Sequence, residues 1–276
     1  MKKIFLRTLI IASLILLSIS LYGYFVEPKL LTTTYNPPIN SAAFPESFNY
    51  TKVGVLTDPM VGNNFSAADL GKAVEAINNQ EPDIIFFTGG LISPEQLANI
   101  ESSEMTKILS NLQAPLGKYA VLGKSDVDES GKVKEILKAS GFLVLEDSTK
   151  YIYNQTDNPV ILAGFNPDTQ PGDILDKLNS LDQNIPVIVL AQNPNTFLTT
   201  SKAANVKLQI SGYNHGGQIG IPFLNTLFIP KDSNSNYIKG WYIENESYLY
   251  VSGGLGNVQG FPVRIFNWPA VDILQL

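Results

Sequence analysis

The chain has 276 residues, 44% of them hydrophobic and 16% charged, with a formal net charge of -6. That is apolar material for one large domain or two small ones, and the diffuse acidic balance argues against a surface that binds nucleic-acid phosphates. There is no cysteine, which excludes disulfides, thiolate metal sites, a cysteine nucleophile and a lipoprotein-type anchor.

The first element in chain order is a targeting signal. Lys2, Lys3 and Arg7 precede an uncharged, mainly apolar run of 19 residues from Thr8 to Val26. As a helix this run is about long enough to cross a bilayer. A cleaved signal peptide is the rival reading, but "SIS" at 18–20 makes a poor cleavage site. Tyr22, Tyr24 and Phe25 are placed as an interfacial aromatic belt. The expectation is therefore an uncleaved, single-pass signal anchor over residues 1–27. Its basic start lies in the cytoplasm and the bulk of the chain outside the cell membrane.

Residues 28–50 carry Pro28, Pro37, Pro38 and Pro45 and read as an extended connector, with "LLTTTY" available as an edge strand. From residue 51 strands and helices alternate. "KVGVL" (52–56), "PDIIFFTGG" (82–90) and "KYAVLGK" (118–124) are buried strands. Helices at 66–80, 93–113 and 129–141 follow them in turn. The first places Leu70, Val74 and Ile77 on one face and opens with a Ser66/Asp69 capping box. The second has Pro94 in its first turn, and the third stops at Gly141.

After Gly141 strands dominate: "FLVLED", "KYIYN", "PVILAGF", "PVIVLAQ" and "KLQISG", interrupted by the helix "GDILDKLNSLD". "GWYIENESYLYV" reads as a hairpin, with Trp241, Tyr242, Tyr248 and Tyr250 as packing pairs. The glycines at 212, 216, 217, 253, 254 and 256 read as turn residues with unusual backbone angles.

Polar residues collect at the C-terminal ends of the strands, where α/β folds place their sites. In order these segments are "VLTDPMVG", "FFTGGLIS", "YAVLGKSD", "VLAQNPN" and "SGYNHGGQI". The set resembles the calcineurin-like metallophosphoesterases, and most closely their membrane-associated bacterial branch. "YFVEPKLLTTTYNPP", "GGQIGIPF" and "YLYVSGGLG" followed by "FPVRIF" extend the likeness over roughly residues 24–276. The resemblance implies an α/β fold: a two-sheet β sandwich flanked by helices, four layers αββα, spanning 51–276 behind the N-terminal transmembrane helix. Active members of that family hold two metal ions, which generate a hydroxide and clamp phosphate oxygens.

Carried over position by position, the resemblance leaves few metal ligands. Asp58 is retained. Met60, Gly90, Lys124, Gln192 and Tyr213 stand where the family has histidine, aspartate, asparagine, histidine and histidine. His215, the chain's single histidine, is retained. Ser125 replaces the general-acid histidine, and Asp126 beside it is kept. Five of seven ligand positions are thus substituted. Asp58 and His215 would both belong to the first metal, which calls for no cofactor or at most one weakly held divalent ion.

Asp58, Lys124, Asp126, Gln192, Tyr213, Asn214 and His215 are the candidate ligand-binding residues. The Lys124 ammonium either enters the vacated site to pair with Asp58 or Asp126, or extends to solvent; with His215 it would also suit an anion. Bland roles compete: Asp58 as a cap, Asp126 as the cap of the helix near Glu129, His215 as hydrogen-bonded structure. Ser125, Asp126 and His215 also have the residue types of a hydrolytic triad, although no nucleophile elbow surrounds Ser125.

Three functions follow as expectations. One is a pseudoenzyme at the cell envelope that binds a phosphate-containing ligand or an envelope protein. Another is a phosphoesterase with a single-metal or metal-free site. The last is a structural subunit of an envelope complex.

Overall fold

The computed structural model describes residues 2–37, 43–96, 99, 101–127, 130–233, 236–258 and 260–276. The first sheet contains β1 (Thr32–Tyr35), β2 (Lys52–Leu56), β3 (Ile84–Phe87), β4 (Lys118–Ala120), β5 (Phe142–Val144) and β12 (Ala270–Gln275), in the order β1-β12-β2-β3-β4-β5. The second contains β6 (Ser148–Ile152), β7 (Val160–Gly164), β8 (Val187–Leu190), β9 (Val206–Ser211), β10 (Gly240–Glu244) and β11 (Ser247–Val251), in the order β10-β11-β9-β8-β7-β6. The helices are α1 (Lys2–Phe25), α2 (Ala67–Asn78), α3 (Ser102–Ser110), α4 (Ser130–Ala139), α5 (Pro171–Asn179) and the short α6 (Phe197–Thr200).

Strand alternation builds the layers. Ile84 and Phe86 face the second sheet, where they meet Leu162, Ile188, Leu208 and Ile210. Ile85 and Phe87 face the other way, onto Leu70, Val74 and Ile77 of α2 and Met105 and Leu109 of α3. Ile161, Val187 and Val189 pack outward on Ile174 and Leu178 of α5. The central strands β3, β7 and β8 are buried on both faces, which is why these runs are continuously apolar. The αββα sandwich expected from the sequence is the observed fold.

Local chemistry sets the element ends. At α2 the Ser66 hydroxyl accepts from Asp69 N at 3.2 Å, and the Asp69 carboxylate accepts from Ser66 N at 3.0 Å. Ser66→Ala is expected to cost about 1 kcal/mol, read as a fall of about 2–4 °C in Tm on thermal melting. The expected helix 93–113 is shorter than its sequence suggested: a 3-10 turn spans Pro94–Gln96, and α3 starts afresh after Glu101, whose backbone is extended. Residues 97, 98 and 100 lie outside the described residues, as do Pro38 in the connector and Glu129 at the expected start of α4.

The edge strand is real: β1 pairs in parallel with β12, from Thr32 opposite Ala270 to Tyr35 opposite Ile273. The hairpin pairs also form, with Trp241 opposite Tyr250 and ring centroids 4.8 Å apart. Of the glycines expected in unusual backbone, Gly216, Gly217 and Gly254 have positive φ. Gly256 instead marks close approach, since a Cβ there would lie 2.9 Å from Met60 Cβ.

α1 has one helix-length apolar surface, long enough to cross a membrane, and is exposed apart from Gly23. Gly23 seats the end of α1 on the domain. Its carbonyl accepts from Arg264 N at 2.9 Å, and a Cβ there would lie 2.7 Å from the Arg264 carbonyl.

Candidate ligand cleft

The ends of β2, β3 and β9 meet at one edge of the sandwich. Asp58 N donates to Gly89 O and Met60 N to Gly90 O, both at 2.9 Å, which ties the loops after β2 and β3 together. Asp58, Met60, Tyr213 and His215 have φ of 47°, 46°, 74° and 46°. Left-handed backbone costs a non-glycine residue about 1–2 kcal/mol. Such strain clusters at functional sites, because it aims side chains that ordinary backbone would not. These four residues occupy ligand positions in the resemblance, so the geometry persists where the ligands have changed.

Asp58 is fully buried and its carboxylate is saturated. Oδ1 accepts from Gln192 Nε2 at 2.5 Å; Oδ2 accepts from Thr57 Oγ1 at 2.7 Å and from Tyr213 N at 2.6 Å. Gln192 Oε1 accepts from Lys124 N at 2.7 Å, which fixes the orientation of the amide. Gly90 leaves the room for this arrangement. A Cβ there would lie 2.6 Å from Asp58 Oδ1 and 3.2 Å from Gln192 Nε2.

Asp126 is buried beneath the cleft, and among the described residues its carboxylate bonds loop amides rather than α4, for which a cap had been one reading. Its carboxylate accepts from Gly90 N, Leu91 N and Gly123 N at 2.8, 3.0 and 2.7 Å. Burial pushes its pKa up to about 6, against those three donors. The triad does not assemble. Ser125 Oγ points to Met60 Sδ at 3.6 Å, Asp126 is held by backbone, and His215 Nδ1 lies 3.2 Å from Gly256 O. Asn214 also turns away, its amide donating to Tyr237 O at 2.5 Å.

Burial lowers the His215 pKa from 6.5 to about 4, while the Asp58 charge opposes the shift and Arg264 adds to it. The folded ring therefore stays neutral where the unfolded chain already binds a proton. The stability this gives is lost as pH falls from 6.5 towards 4. Against a His215→Gln variant, the loss is expected to reach about 3 kcal/mol near pH 4. Chemical denaturation of both proteins over that range checks it, and the subtraction cancels the opposite trend of Asp126.

Lys124 enters neither the Asp58 nor the Asp126 site. Its ammonium is half-exposed and pairs with Asp232, whose other oxygen accepts from Tyr213 Oη at 2.6 Å. Both carboxylates expected as partners are already filled by other donors, so the lysine turns to the rim. Burial pushes the Asp232 carboxyl up, but Lys124 and Tyr213 more than offset this and hold it below its ordinary value. Burial, then the Asp232 acceptor, raises the Tyr213 hydroxyl.

A cavity of about 620 Å³ opens here, lined by Asp58, Met60, Lys124, Ser125, Gln192, Tyr213 and His215, with Val127, Pro230 and Val258 adding apolar wall. Lys124 is the one cation among the described lining residues, against Asp58 and Asp168.

The donors do not fit a two-metal centre. Asp58 has both oxygens engaged, Gly90 offers nothing, and Met60 is a soft thioether. Among the described residues no group of three or more His, Asp or Glu side chains is placed to hold a metal ion.

The metallophosphoesterase YkuE of Bacillus subtilis, itself described as uncharacterized, is 29% identical over 266 residues, covering 92% of this chain and 89% of that one. The chain is thus similar to proteins named metallophosphoesterases over nearly its whole length. A second metallophosphoesterase relative, a transmembrane protein with a metallophosphoesterase domain from Danio rerio, is 25% identical over 94% of this chain, which spans 60% of its length. The NAD nucleotidase of Haemophilus influenzae shares the fold, with a TM-score of 0.51 at 10% identity, over 74% of this chain and 45% of that one. No family model matches the chain.

Two residues at this site were not singled out in the sequence. Asp232 lies 108 positions from Lys124 in an irregular segment. Arg264 is wholly buried behind the site, and its guanidinium donates to the carbonyls of Gly253, Gly254, Gly256 and Asn267. The Pro-Val-Arg of "FPVRIF" had marked family likeness alone.

Proposed function

We propose that the chain is a membrane-anchored binding protein on a metallophosphoesterase frame, taking a ligand or partner at the cleft without two-metal hydrolysis. The observation that carries this reading is the Gln192 amide on Asp58 above Gly90: an amide–carboxylate hydrogen-bond network fills the space between the residues that would share a metal. The cleft above that network remains open, with the strained backbone that shapes it intact. A phosphate-bearing ligand would have to take Lys124 from Asp232, since no other described lining residue is cationic. On this reading α1 is a signal anchor, and its basic start keeps the domain on the outer side of the cell membrane.

The alternative reading, a working phosphoesterase, is favoured by the family to which YkuE belongs. One experiment separates the two. The full chain in detergent is incubated with manganese, iron or zinc, desalted, and assayed for bound metal and for turnover of bis(p-nitrophenyl) phosphate. The expected result is well under about one metal per ten chains and no turnover. About one metal per chain, with turnover that a chelator and Asp58→Ala both abolish, establishes the hydrolase instead.

A further inference from the structure

An apolar face stands beside the end of α1. Residues 219–230, "IGIPFLNTLFIP", and 265–269, "IFNWP", carry no charge. Ile219 bridges Ile265, and Gly220 N donates to Ile265 O at 2.7 Å, so the two segments form one surface. That surface leaves Phe223 89%, Leu227 68%, Phe266 65% and Trp268 50% exposed, with Ile221 and Leu224 beside them. A monomeric soluble protein rarely leaves such large apolar side chains grouped in water.

The position of the face indicates what covers it. The Glu27 carboxylate, two residues beyond α1, accepts from Phe266 N at 2.8 Å and Asn267 N at 2.5 Å. Asn64 Nδ2 donates to Tyr24 O at 2.8 Å, and Arg264 N to Gly23 O. A helix of 24 residues is about 36 Å long, against about 30 Å of bilayer hydrocarbon. With Lys2, Lys3 and Arg7 at one surface, the other falls near Tyr24–Val26. Phe266 and Trp268 are fastened at that height, where interfacial aromatic residues sit.

We propose that Ile221, Phe223, Leu224, Leu227, Phe266 and Trp268 lie in the interfacial layer of the bilayer, seating the domain in one orientation against the membrane. The proposal rests on α1 spanning that membrane, and it adds a second, monotopic contact to the anchor. The seated segment is also the rim of the cleft: it continues into Pro230, which lines the cavity, and Asp232, which holds Lys124.

The test uses the full chain in vesicles of phosphatidylethanolamine and phosphatidylglycerol. Trp241 and Trp268 are the only tryptophans. Trp241→Phe leaves Trp268 as the reporter, and Trp268→Phe leaves Trp241, whose ring packs on Tyr248 and Tyr250. Brominated acyl chains are expected to quench about half of the Trp268 emission and little of the Trp241 emission. Because the chain has no cysteine, Phe223→Cys carrying a nitroxide gives a second reading: its collisions with oxygen should exceed those with a water-soluble relaxant. Protein that resists alkaline extraction, yet shows equal quenching of both tryptophans and a water-exposed label, overturns the seating and spares the anchor. Protein released by alkaline extraction overturns both. Cross-linking of Phe223→Cys copies, with no lipid quenching, reassigns the face to a second copy and also overturns the proposal.

Discussion

Replacing Arg264 with methionine is expected to lower the stability of the chain by about 4 kcal/mol, or about 10 °C in Tm, with no residue of the cleft altered. The guanidinium is completely buried and makes no ion pair within 4 Å among the described residues. It donates to the carbonyls of Gly253 and Gly256 at 3.0 Å, of Gly254 at 3.1 Å and of Asn267 at 3.0 Å. Those carbonyls belong to the loop between β11 and β12, where only Gly254 also meets a strand amide, Ala270 N at 3.3 Å. Methionine fills similar volume but leaves the Gly253 and Asn267 carbonyls without a donor and those of Gly254 and Gly256 with only Ala270 N at 3.3 Å and the His215 ring at 3.2 Å, and each buried unpaired acceptor costs about 1–3 kcal/mol. Burial brings the Arg264 pKa down to about 10, against the charges of Glu27 and Asp58, so the side chain still holds its proton at neutral pH. Arg264→Lys should recover less than half of the loss, because one ammonium cannot reach four carbonyls spread around a planar fork. Thermal melting of the three proteins in one detergent checks both parts. A methionine variant as stable as the parent would mean that the loop is held by something else.

Gly90→Asp, which restores the carboxylate expected of the family at that position, should destabilise the chain by about 3–5 kcal/mol and confer no metal binding. Three costs act together. The φ of 73° disfavours any Cβ. That Cβ would stand 2.6 Å from Asp58 Oδ1, so the Asp58–Gln192 pair must break or shift. A second buried carboxylate then faces the first without a cation between them. Gly90→Ala separates the steric and backbone costs from the charge and should account for about half of the loss. Denaturation with and without added manganese is the measurement. Rescue of Gly90→Asp by manganese, with about one ion bound per chain, would show that the site remains one substitution away from a metal centre and would undercut the binding reading.

The layers were legible because they follow period and composition. Alternating buried strands, the Ser66–Asp69 box and the Trp241–Tyr250 pair are local patterns that folding preserved. The candidate site was legible as a set of positions: Asp58, Lys124, Ser125, Gln192, Tyr213 and His215 all reach one cavity. The partners of these side chains were not legible. For Lys124 the sequence left entry to the vacated site and extension to solvent open; both core carboxylates already accept from Gln192, Thr57 and backbone amides, and its half-exposed charge went to Asp232. A cap on the helix near Glu129 was one reading of Asp126, yet its carboxylate accepts from three loop amides. Competition among donors for one acceptor is decided in three dimensions, and no spacing along the chain records it. The segment 219–233 has no periodicity at all, so its role at the rim and beside α1 emerged only from its position.

The pairing of β1 with β12 carries a consequence for biosynthesis. β12 lies between β1 and β2, and Thr34 bonds Asp272 across 238 positions. During synthesis at about 5–20 residues per second, β1 and one edge of β2 therefore wait on the order of ten seconds or more for the strand that joins them. Until then the nascent domain presents two open sheet edges next to an apolar helix, the kind of surface to which other chains add strands. Completion of the first sheet is a late event, set by the arrival of residues 270–275. A ribosome stalled just short of them would hold a domain whose first sheet is still open and which still needs protection from aggregation.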